Sequence, residues 1–189
     1  LRSCTCFVAG TLVRVASASE GSRSSASPLL EKRGENGEIQ YYREIQDIRV
    51  GDEVLSWNEK TGAVEYNRVT QTFIRHTDTI YKLTYEDGTT VETTWNHPFY
   101  IAGHGWTMAK DLREGEFSMT AESMQETQLA SYPILLHATA LLASVVDTEK
   151  TIVPEAKAIV RIEEMQRVET VYNFEVETAH SYFVTEGGV

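Results

Sequence analysis

Cysteine is nearly absent. The 189 residues hold two, Cys4 and Cys6, one residue apart. Two cysteines cannot staple a fold, so a disulfide framework is excluded. A tetrahedral zinc site built from cysteine alone is excluded too. Basic residues are outnumbered, with 17 Lys and Arg against 28 Asp and Glu and a net charge of −11. A phosphate-rich partner needs a basic face, so this balance argues against nucleic acid and against an anionic membrane surface. Long apolar runs are missing as well. A membrane span needs about 20 mostly apolar residues, and the most apolar stretch, Leu129 to Val146, is broken by Pro133, His137 and two serines. No N-terminal signal pattern is visible.

What is present suits one domain, or one domain with insertions. The hydrophobic content of 41% is enough for one sizeable core. Cys6 to Ala16 is β-branched and apolar and predicts a strand. Ser17 to Ser27 is rich in Ser, Ala and Gly and predicts an exposed loop. Ile45 to Trp57 predicts a strand that turns at Gly51-Asp52. Val64 to Arg75 alternates, with Val64, Tyr66, Arg68, Thr70, Thr72 and Ile74 on one face. Ile80 to Tyr85 and Thr90 to Thr94 read as a hairpin through Glu86-Asp87-Gly88-Thr89. Further strands are expected at His97–Ile101, Val160–Ile162, Thr170–Val176 and Ser181–Val184. Ser118 to Ala130 carries good helix formers. Trp106 and Tyr172 are expected in the core. Many short strands with turns between them predict an all-β domain rather than βα units.

Three stretches carry chemistry. Cys6 heads the Gly-containing segment Cys6-Phe7-Val8-Ala9-Gly10-Thr11-Leu12-Val13. Thr94-Trp95-Asn96-His97-Pro98 follows far downstream, and Val171-Tyr172-Asn173 through His180 closes the chain. Each has a plainer reading. A lone cysteine heading a strand is a small buried hydrophobe. An isolated Thr-x-x-His is a histidine bonded to a backbone carbonyl at a strand end.

Five blocks in order, however, resemble the Hint domains shared by inteins, bacterial intein-like domains and Hedgehog autoprocessing domains. They are Cys6-Phe7-x-x-Gly10-Thr11-x-Val13, Ile48-Arg49-Val50-Gly51-Asp52-Glu53-Val54, Thr94-x-x-His97-Pro98-Phe99, Trp106-x-x-Ala109-x-x-Leu112-x-x-Gly115-Glu116, and Val171-Tyr172-Asn173-Phe174-x-Val176 through His180-x-Tyr182-Phe183-Val184. The closing block most resembles Hint domains of bacterial polymorphic toxins. The resemblance implies an all-β, compact, horseshoe-shaped Hint fold of many short strands, with a helical or irregular insertion. Residues 1–5 are then upstream flanking residues, and 6–189 form the Hint autoprocessing domain with insertions near 17–40 and 118–157.

The resemblance also implies roles. Cys6 is the nucleophile that attacks the Thr5 carbonyl in an N-to-S acyl shift, so Thr5-Cys6 is the scissile bond. His97 protonates the departing nitrogen, Thr94 holds the scissile peptide, and His180 assists at the downstream junction. The chain departs from the family in two places. The His-Asn end is lacking, and Asn173 stands where many inteins carry Asp, so that position cannot ionise. Cys4 is a candidate redox partner for Cys6; the alternative is an incidental upstream cysteine. A mixed site of Cys6 and His97 with Cys4 or His180 is a weaker zinc candidate, and neither metal nor cofactor is assigned.

Autocatalytic cleavage or splicing is the leading expectation, with release of a C-terminal toxin-like module in the parent protein. The competing class is a catalytically decayed Hint-like β scaffold that links or presents other domains. A third reading is an acidic extracellular β module that binds a partner through 17–37 or 117–157. The expected partners are the covalently linked flanking segments of the same precursor, on a monomer. The toxin-like resemblance points to a secreted or cell-surface setting.

Overall fold

The computed structural model describes residues 5–17, 29–34, 37–124, 156–179 and 181–189. Eleven strands follow one another among them: β1 (Phe7–Val8), β2 (Leu12–Val15), β3 (Leu30–Arg33), β4 (Ile39–Glu44), β5 (Glu53–Trp57), β6 (Val64–Tyr85), β7 (Thr90–Thr93), β8 (Pro98–Ile101), β9 (Gly105–Met108), β10 (Phe117–Ser118) and β11 (Lys157–Val176). Short 3-10 helices at Ile45–Asp47 and Ala109–Asp111 and a helical turn at 121–124 complete the pattern. The fold is all-β, as expected.

β6 and β11 form the spine. Both are rich in β-branched and aromatic residues, which suit a pleated surface. They pair antiparallel from Val69↔Val176 to Tyr85↔Ile159, with register shifts at Ile159/Arg161, Gln166/Glu169 and Glu175/Val176. Such shifts bend and twist a long ribbon. β7 pairs with the end of β6 (Tyr81↔Thr93), and β1 pairs with β7 (Phe7↔Thr93) and with β11 (Phe7↔Tyr172, Val8↔Val171). β6, β7, β1 and β11 therefore close into a ring. The first half of β6 carries β5, β2, β4 and β3 in that order, while β10, β8 and β9 extend from β11. Val13, Val54, Val69, Leu83, Ile159 and Phe174 pack into one core across these layers.

Several local expectations change. The strand expected over Cys6 to Ala16 breaks at Ala9-Gly10, where Gly10 takes φ +85, a conformation that glycine adopts at little cost. Ile45–Asp47 is a 3-10 turn, and only Glu53–Trp57 of that segment is strand. The two strands expected within 64–85 are one, and those expected at Val160–Ile162 and Thr170–Val176 are also one. β3 and the first residues of β4 arise in the region read as an insertion. The Val64 to Ile74 face turns to solvent, with Ile74 60% exposed, because Val69 on the other face joins the core. Trp106 is a correction too. It is 42% exposed on β9, the last of the described strands in the sheet order, where its ring meets Trp57 and Tyr100 and is otherwise open to solvent. Tyr172 is half-buried against the core. The helix expected over Ser118 to Ala130 is realised at 121–124, and beyond residue 124 it lies outside the described residues.

One buried ion pair braces the β4–β5 region. Arg43 meets Asp52 at 2.7 Å, with side chains 7% and 10% exposed. Asp52 also accepts the Arg49 main-chain N–H at 2.8 Å. Removing one member of a buried pair strands the other charge. Asp52→Ala should therefore destabilise the domain by about 3–5 kcal/mol. Urea unfolding checks this, and a loss below about 1 kcal/mol would place the pair among weak surface bridges.

Candidate active site

Cys6 sits where the ring closes. Its side chain is fully buried against Ile80 and Val171. Its main chain is held on both sides. The Cys6 N–H donates to Thr94 Oγ1 at 3.0 Å, while the Cys6 carbonyl accepts from Thr93 Oγ1 at 2.8 Å and from the Thr94 N–H at 3.0 Å. Two adjacent threonines at the end of β7 thus clamp one residue. The peptide bond that enters Cys6 from Thr5 is fixed at its nitrogen. Cys6 is disulfide-bonded in this structure, and Cys4 and His180 lie outside the described residues.

His97 follows a tight turn closed by its own N–H to the Thr94 carbonyl at 3.1 Å. The His97 carbonyl accepts from Ala109, and the Trp95 carbonyl accepts from Lys110. The 3-10 helix at Ala109–Asp111 therefore anchors the loop. The imidazole lies on the Phe7 ring, centroids 4.0 Å apart, with Phe99 at 5.4 Å. Its Nδ1 is shielded from solvent and has no hydrogen-bond partner. Desolvation pushes the His97 pKa down to about 3, against the opposing pull of a hydrogen bond with the Thr5 main chain. The ring is therefore neutral at physiological pH.

On the other side of Thr5, Asn173 of β11 donates through Nδ2 to Thr5 Oγ1 at 3.2 Å. Its Oδ1 accepts from the Tyr182 hydroxyl at 2.6 Å and from the Phe174 N–H at 2.7 Å. A cleft of about 740 Å³ opens here, lined by Thr5, His97, Asn173 and Tyr182, with Glu59, Glu175 and Glu177 adding negative charge. Beside it Tyr100 meets Trp57 and Trp106 edge to face, and the three line a small apolar pocket that shares His97 and Tyr182. No group of three His, Cys, Asp or Glu side chains gathers around a metal-sized point among the described residues.

The structure thus brings together Thr5, Cys6, Thr94, His97 and Asn173, which are scattered through the sequence. Two contributors escaped the sequence reading. Thr93 looked like a plain strand residue, and its pairing with Thr94 was the available signal. Tyr182 belonged to a matched block but had no role. Of the histidines given no role, His76 lies on β6 beside Thr170 and His104 pairs with Glu116. His137 lies outside the described residues.

The family model of the pretoxin Hint domain matches residues 38–141, more than half of the chain. The chain belongs to the pretoxin Hint family. Solved structures share the fold of this Hint domain. A bacterial intein-like domain from Clostridium thermocellum aligns at TM-score 0.66 and 22% identity, covering 99% of this chain and 97% of that one. A DnaB intein from Synechocystis aligns at TM-score 0.59 and 18% identity, covering 96% and 94%. No curated protein matches by sequence. As a Hint domain it is a self-processing module of the splicing and cleavage class, set among flanking segments of a precursor.

The buried neutral histidine has a stability signature. The unfolded ring binds a proton near pH 6.5, while the folded ring resists protonation down to about 3. Between those values the unfolded state holds more protons, so the contribution is present above pH 6.5 and is lost as pH falls. His97→Gln should remove up to about 1.4 kcal/mol per pH unit from the slope of unfolding free energy below pH 6.5. Parallel slopes for the two proteins in chemical denaturation would mean that His97 protonates equally well when folded.

Proposed function

We propose that this Hint domain cleaves its own chain at the Thr5–Cys6 bond through an N-to-S acyl shift. The observation that carries the reading is the 3.0 Å hydrogen bond from the Cys6 N–H to Thr94 Oγ1. It holds the nitrogen that must leave. The disulfide on Cys6 must first be reduced. A dithiol reductant is oxidised in its place and frees the Cys6 thiol. The sulfur then attacks the Thr5 carbonyl carbon. A C–S bond forms, the C–N bond breaks, and the Cys6 nitrogen departs as an amine. Neutral His97 takes the thiol proton and returns it to that nitrogen. Asn173 holds Thr5 on the acyl side, as an amide donor rather than an ionised base. Water or a thiol then resolves the thioester and releases the upstream segment. His180 is assigned to the downstream junction, and so to release of a C-terminal toxin-like module.

The test is a precursor with a folded reporter ahead of Leu1 and the natural sequence after Val189, followed by intact mass. A phosphine reductant alone should give slow hydrolytic release of the reporter, and dithiothreitol should accelerate it by thiolysis. Cys6→Ala should abolish both. Thr94→Val keeps the shape but removes the acceptor, and should slow release about a hundredfold, the usual scale for one preorganised polar contact. Release of only the C-terminal piece, unaffected by Cys6→Ala, would move the chemistry to the other junction. Absence of any cleavage after reduction would leave a scaffold.

A further inference from the structure

We propose that Tyr182 and Asn173 form a subsite that reads the side chain just upstream of the scissile bond and requires a hydrogen-bond acceptor there. The inference rests on cleavage at Thr5–Cys6 as proposed above. An asparagine amide has two ends of nearly equal shape and opposite hydrogen-bonding character. At Asn173 two donors, the Tyr182 hydroxyl and the Phe174 N–H, meet Oδ1. That leaves Nδ2, which can only donate, facing Thr5 Oγ1 at 3.2 Å. The subsite therefore suits an acceptor oxygen on a short side chain, as in Thr or Ser, and leaves Nδ2 unmet by an apolar one.

The two donors differ in kind. The Phe174 contact lies within one residue pair and moves with the side chain. The Tyr182 hydroxyl comes from a different segment and ties the amide to a fixed point. That point is well anchored. The Tyr182 ring stacks on Phe174 at 3.9 Å and meets the edge of Phe7 at 6.1 Å. A β-bridge with Ser56 holds its backbone. Burial raises the Tyr182 pKa, so the hydroxyl stays a donor throughout the physiological range. Phe7 also supports His97 on its ring. One aromatic group thus joins the upstream-residue subsite to the proposed proton carrier. Tyr182 acts through Asn173 and is a positioning residue.

The experiment compares reporter release from precursors carrying Thr5, Thr5→Ser and Thr5→Val. Thr5→Ser should stay within about twofold of wild type, and Thr5→Val should be slower by about fivefold to tenfold, the worth of one net hydrogen bond. Tyr182→Phe keeps the ring stack and removes only the hydroxyl. In that background the Thr-to-Val rate ratio should fall to near one. A ratio equal to the wild-type ratio overturns the proposal. A general loss of packing would slow all three precursors alike, leave the ratio unchanged, and count against it as well. A second readout needs no cleavage. In the Cys6→Ala precursor, the Asn173 side-chain amide protons should show a nuclear Overhauser contact to the Thr5 side chain, and Tyr182→Phe should remove it. Persistence of that contact overturns the orienting role. If wild type fails to cleave while the contact behaves as expected, the cleavage reading fails and the subsite stands.

Discussion

A strand of two residues carries the site. β1 is wedged between β7 and β11, and Phe7 opposes Thr93 on one side and Tyr172 on the other. That double pairing closes the ring of β6, β7, β1 and β11. It buries Cys6 and brings Thr93 and Thr94 within hydrogen-bonding distance of its main chain. Buried peptide groups must find partners, and here the partners are two adjacent threonines. The clamp on the residue after the proposed scissile bond is therefore a consequence of satisfying buried backbone. Breaking the ring at β1 would release the clamp, the seat of His97 on Phe7 and the edge contact of Tyr182 together.

Burial shapes the chemistry as much as geometry does. Among the described residues, His97 is the group at the centre of the site that ordinarily titrates near neutrality, and desolvation among aromatic rings drives it to the neutral form. A neutral imidazole has an open acceptor nitrogen and no proton beyond its own N–H to give, and the same desolvation weakens it as a base. In the proposed cleavage, the proton delivered to the Cys6 nitrogen is therefore the one taken from the thiol, which links attack and departure in one transfer. Asn173 fits the same economy of charge. An ionised carboxylate there would face Thr5 beside Glu175 and Glu177 in an already acidic cleft. The amide supplies directionality instead, and its usefulness depends on which way it points.

Much of the site was legible from residue order alone. Cys6, Thr94, His97 and Asn173 sit in short blocks whose local spacing reflects a turn, a strand end or an alternation, and local spacing survives in one dimension. Other features depended on distant partners. The lengths of β6 and β11 arise because each stabilises the other along its whole run, so neither breaks where its own pattern weakens. Trp106 is part-exposed on a strand that, among the described residues, has no strand beyond it, which its aromatic character could not reveal. β3 and β4 emerge from a charged, Gly-punctuated stretch because β2 offers β4 an open edge.

The amino-acid sequence by itself determined the fold class, the resemblance to the Hint family and which side chains are candidates for the site. Each of these is encoded in residues a few positions apart. Only the tertiary structure decided how those side chains face one another. The Cys6–Thr94 contact spans 88 positions and the Asn173–Thr5 contact spans 168. Contacts of such range are set by strand register and ring closure, and each requires the whole sheet to be assembled first. The direction of the Asn173 amide lies further still from the sequence, because both of its ends have the same shape and only the Tyr182 hydroxyl and one backbone N–H tell them apart.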